Sequence, residues 1–85
     1  MEDIKVKKKE GDVERWMYDK VLASIGKTGI SLKIAEDITG RVENWVKANA
    51  KNGVIDSADV RDKVTELLKK ADPVAGDNYQ AYKAA

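Results

Sequence analysis

The stretch IKVKKKEGDVERWMYDK, from Ile4 to Lys20, decides the fold. Two short runs, rich in β-branched and aromatic residues, flank Glu10-Gly11-Asp12. Glycine takes positive φ without steric penalty and aspartate tolerates a turn, so the stretch predicts a β-hairpin. Side chains alternate along a strand, which puts Ile4, Val6 and Lys8 on one face and Lys5, Lys7 and Lys9 on the other. The apolar face turns inward and takes Lys8 with it, either snorkelling at the rim or paired with an anion. Lys5, Lys7 and Lys9 read as a solvated face that also blunts an exposed edge. On the second strand Glu14 and Trp16 share a face, and Val13, Arg15 and Met17 share the other.

Beyond the hairpin the pattern turns helical. Val21, Leu22 and Ile25 recur at helical spacing and predict a first helix over about Tyr18–Lys27, stopped at Thr28-Gly29. Ser31 is the expected N-cap of a second helix carrying the stripe Ile34, Ala35, Ile38, Val42, Trp45 and Val46. Gly40 inside that helix costs about 1 kcal/mol relative to alanine, so a close contact is expected there. Asn52-Gly53 closes the region, and Val54-Ile55 offers a third strand to a hairpin that is marginal with two. Ser57 is the expected cap of a third helix with the stripe Val60, Val64, Leu67, Leu68 and Ala71. Asp72-Pro73 opens a fourth, with Ala75, Tyr79 and Tyr82 inward. The expected fold is α+β and mainly α: a four-helix bundle capped by a two- or three-stranded sheet. Its core is expected to be Ile25, Ile38, Val42, Val64, Leu67 and Leu68.

Composition narrows the chemistry. The 85 residues are expected to form one domain, residues 1–85, with a modest core. There is no cysteine and no histidine, so disulfides, thiolate metal sites and the commonest general base are absent. Catalytic triads and a Walker A loop are absent too. The carboxylates Glu36, Asp37 and Glu43 read as the solvated side of the second helix, and no metal-ligand spacing stands out. No apolar run is long enough for a bilayer and the start lacks a signal peptide, so the expectation is a cytoplasmic, non-enzymatic chain. The formal net charge is +1. The first twenty residues hold six basic and six acidic side chains, so the lysines of KVKKK create no local excess, which counts against general nucleic-acid binding. A single small polyanion held by placed cations such as Lys8, Lys20 and Arg61 is the sharper reading; each of the three, taken singly, is also an ordinary surface cation.

The order of these features resembles the ATP-cone family, the regulatory module of ribonucleotide reductase large subunits and of the repressor of their operons. The opening pattern appears here as Val6-Lys7-Lys8-Lys9-Glu10-Gly11, then Glu14-Arg15-Trp16, then Asp19-Lys20-Val21. Ile55-Asp56-Ser57, Asp72-Pro73, Tyr79 and Tyr82 follow in order, so the resemblance spans nearly the whole chain. It implies a bundle capped by a three-stranded sheet that binds ATP or dATP, with or without Mg2+, beneath the hairpin. It implies that Val6 and Trp16 contact the base and that Glu14 accepts from the adenine amino group. Lys8, Lys9 and Lys20 would take the phosphates, and Ser57 and Arg61 would complete the pocket. Trp16 and Met17 are departures, standing where the family carries a smaller apolar residue and often a polar one. The indole therefore either stacks on the base or fills its place. In the first case the chain is an allosteric nucleotide sensor acting through self-association or docking to a larger enzyme or regulator. In the second it is a degenerate cone kept as a helical interaction domain.

Overall fold

The structure, a computed structural model, describes residues 3–84. Residues 1, 2 and 85 of the expected domain lie outside the described residues. The hairpin forms as anticipated, with β1 (Lys5–Lys7) antiparallel to β2 (Val13–Arg15) and Val6 opposite Glu14. The turn closes through hydrogen bonds from the Lys8 amide to the Asp12 carbonyl and from the Gly11 amide to the Lys8 carbonyl. Gly11 sits at φ +96°, which an L side chain rarely adopts. The brief β-branched pair does add a third strand. β3 (Val54–Asp56) runs parallel to β1 in a sheet ordered β2-β1-β3, with Ile55 beside Val6. Val6, Glu14 and Ile55 thus form one row on the inner face, while Lys5, Lys7, Val13 and Arg15 point to solvent.

Four α-helices follow among the described residues: α1 (Tyr18–Gly26), α2 (Leu32–Asn49), α3 (Ser57–Ala71) and α4 (Pro73–Ala84). Ser31 caps α2, its Oγ accepting from the Ile34 amide at 3.3 Å. Asp72 caps α4, its Oδ1 accepting from the amides of Val74 and Ala75 at 3.0 and 3.4 Å, and Pro73 opens the first turn, where its missing N–H matters least. The core joins Ile25, Ala35, Ile38, Val42, Val46, Ile55, Val60, Val64, Leu68, Ala75 and Tyr79. Leu67, expected among them, is only partly buried and packs against that cluster.

Four local expectations are corrected. Ser57 is the first residue of α3 rather than its cap; Asp56 occupies that position with extended backbone and no side-chain bond. A Cβ on Gly40 would meet nothing within 4 Å, whereas one on Gly76 would run into Lys69, so the close helix approach lies between α3 and α4. Ile34, at the start of its stripe, is exposed, and the buried face of α2 begins with its neighbour Ala35. Tyr82 is 47% exposed and lies outside the core that Tyr79 joins one turn earlier. Among the described residues no helix is long and apolar enough to cross a membrane.

Candidate functional site

A cleft of about 710 Å3 opens beneath the hairpin, between the inner face of β1–β2 and the helices α1, α3 and α4. All eight residues expected at the site, Val6, Lys8, Lys9, Glu14, Trp16, Lys20, Ser57 and Arg61, line this one cleft. The fold explains why. Strand parity aims Val6 and Glu14 inward, and Trp16 continues that face just past β2, its amide held by the Ile4 carbonyl at 2.7 Å. Lys8 and Lys9 start the turn. Lys20 lies in the first turn of α1, and Ser57 and Arg61 lie one turn apart on α3, so they share its face.

Glu14 is the electrostatic centre. Its carboxylate accepts from Lys8 Nζ at 2.8 Å and lies 3.7 Å from Lys20 Nζ. The hydrogen bond from Lys8 holds the Glu14 carboxyl below its ordinary range against the opposing effect of burial, with Lys20 adding to the lowering. The same bond raises the Lys8 ammonium above its ordinary value. Both side chains are open to water, so the pair orients more than it stabilises. Six basic and two acidic residues border the cleft; of the six, Arg15 lies at its edge and turns its guanidinium outward to Asp3 at 3.6 Å. A chain of net charge +1 has therefore gathered its excess of cations here.

The aromatic part of the cleft was only partly foreseen. Trp16 is held by a bond across the fold: its Nε1–H donates to Glu43 Oε2 on α2 at 2.9 Å. Glu43 is thus not a freely solvated helix carboxylate. Its side chain is 28% exposed, and its other oxygen lies 3.7 Å from Lys47 Nζ, one turn on. At the far end Lys27 Nζ donates to the Tyr82 hydroxyl at 3.0 Å and sits 5.3 Å from that ring's centroid. Tyr79 is buried in the wall, and burial pushes its phenol above the ordinary value, with Ser24 and Arg61 acting in the opposite sense. Lys27, Ser24 and Glu43 carried no signal in the helical pattern, because each becomes relevant only once α1, α2 and the hairpin are placed together.

The cleft has the size of a small-molecule site and joins a cationic end to an apolar, aromatic wall. Among the described residues no group of three or more Asp or Glu side chains is placed to hold a metal ion. The arrangement suits a ligand with a polyanionic tail and a flat, weakly polar head. No curated protein matches the chain. The model of the ATP cone domain, a regulatory nucleotide-binding module rather than a catalytic one, matches residues 4–85. The chain belongs to the ATP-cone family.

Proposed function

We propose that this chain is an allosteric sensor that binds ATP or dATP in the cleft beneath the hairpin and performs no chemistry on it. The observation that carries the reading is the convergence of the eight residues from the hairpin, α1 and α3 on one cationic cleft. The triphosphate lies against Lys8, Lys9 and Lys20, which supply charge-assisted donors. Ser57 and Arg61 close the site from the first turns of α3, whose N-terminal end favours an anion. The base lies against Val6 and Trp16, and Glu14 accepts from its exocyclic amino group. Any Mg2+ arrives on the phosphates, since the ligand brings the oxygen donors that a hard cation prefers.

A regulatory module transmits only if the nucleotide favours one of two states. The receiving state is self-association or docking to a larger enzyme or regulator, in the same compartment as the nucleotide pool, the cytoplasm. Calorimetric titration with ATP, dATP and GTP tests the reading. Saturable binding of ATP or dATP with weaker binding of GTP is the expected result. Absence of heat with all three at millimolar concentration refutes it and leaves a cone kept for helical docking alone.

A further inference from the structure

We propose that Glu43, on α2 and outside the cleft, is a positioning residue that sets the indole of Trp16 for stacking on the base. The inference rests on the nucleotide reading of the cleft. An indole carries one polar atom, the Nε1–H donor, and accepts nothing. Here that donor is satisfied by Glu43 Oε2 at 2.9 Å, across 27 residues of sequence. The Glu43 carboxylate is itself oriented by Lys47, one turn further along α2. The Trp16 backbone is fixed separately, through its amide to the Ile4 carbonyl. Main chain and ring edge are thus both anchored, the first to β1 and the second to α2.

Two consequences follow. The edge bearing the N–H turns to α2 while the ring still lines the cleft, so carbon rather than a donor meets the ligand. A flat π-face recognises any base by stacking, and hydrogen-bond selection then falls to Glu14. The ring is also held before the ligand arrives, which removes the entropic cost of ordering it on binding. Glu43 does not itself line the cleft, and its hydrogen bond to a lining residue is the one to Trp16. It must therefore act on the base and not on the phosphates.

The test compares ATP with inorganic tripolyphosphate, which carries the same anionic chain without a base, by calorimetry on the full chain. Glu43→Met removes the acceptor at similar length, and Glu43→Gln keeps it. Glu43→Met is expected to bind ATP roughly tenfold more weakly, within what one base–aromatic stack contributes, with tripolyphosphate unchanged. Glu43→Gln restores ATP binding to within about twofold of wild type, since an amide oxygen still accepts. Trp16→Phe keeps a ring but no donor and shows the same split, so the proposal stays testable if Glu43→Met does not fold. A wild type that binds ATP while Glu43→Met or Trp16→Phe binds it equally well overturns the inference and leaves the nucleotide reading standing. Equal losses of ATP and tripolyphosphate overturn it as well, since Glu43 would then support the whole lid. A wild type that binds neither ligand overturns both readings together.

Discussion

Val64→Ala separates what holds the bundle from what binds in the cleft. Val64 lies in the middle of α3 with no exposed surface, packed in the cluster that joins Ile25, Val42 and Leu68. The substitution removes two methyl groups, whose transfer from water is worth about 0.8 kcal/mol each, or about 1.6 kcal/mol together. A partly collapsed cavity adds to this, because helices fixed by Gly76 against Lys69 and by the strand cap cannot close freely. Alanine returns about half a kcal/mol of helix propensity. The net loss is about 2 kcal/mol, within a range of roughly 1–3 kcal/mol. For a chain of this size that lowers Tm by roughly 8–16 °C. The assay is thermal unfolding followed by far-ultraviolet circular dichroism, with and without ATP. Val64 does not line the cleft, so the mutant should keep its ATP affinity. At about a hundredfold excess over Kd, ATP should then stabilise both proteins by about 2.7 kcal/mol. A Tm within about 2 °C of wild type would refute the packing assignment. A mutant that unfolds early and also loses the ATP-induced shift would refute the separation of core from cleft.

The remaining expectations concern the site. Lys8→Ala and Lys20→Ala should each weaken ATP binding more than roughly tenfold, while Lys5→Ala, on the outer face of β1, should change little; three mutants that bind alike would reduce these lysines to surface charge. In a Trp45→Phe background, which removes the only other indole, saturable quenching of Trp16 by ATP is expected, and an emission indifferent to millimolar ATP would mean that the ring fills the base site. Glu14 has a lowered folded pKa, so its ion-pair contribution is complete above the ordinary value of 4.5 and is lost as pH falls through the lower folded one. Lys8 has a raised pKa, so its share is complete below 10.5 and is lost as pH rises through the folded value. Carboxyl and ammonium titrations followed by NMR should show both displacements, and Glu14→Gln should bring Lys8 down toward its ordinary value. Light scattering should show a change of association or docking at saturating ATP; identical traces with and without nucleotide, in the presence of a candidate partner, would remove the sensor role.

The hairpin and its polarity were legible in the sequence because strand parity is local. Alternation puts Val6 on the inward face of the first strand and groups Glu14 with Trp16 on the second, and the register then sets Val6 opposite Glu14. The stripes of α2 and α3 were legible for the same reason, since Ile38, Val42, Val64 and Leu68 follow from a period within one helix. What escaped is set between elements. Gly40 and Gly76 are equivalent as letters, and only the crossing of α3 and α4 decides which one admits a neighbour. Serine favours the cap position, but β3 pairs with β1 through Asp56 and carries the strand one residue further, so the helix starts at Ser57 itself. Glu43 is the most instructive case. Its helical position put it on the polar side of α2, and that much was right. A polar side is a solvent side only where nothing folds over it. Here the end of the hairpin does, and the indole that arrives needs an acceptor. The bulky indole at the end of the hairpin and the carboxylate that periodicity leaves on the water side are two ends of one hydrogen bond. Neither is informative alone, because the pairing depends on how far the lid reaches across the bundle. The indole of Trp16 is therefore matched in the scaffold as well as in the cleft, and its orientation is a property of α2 as much as of the hairpin.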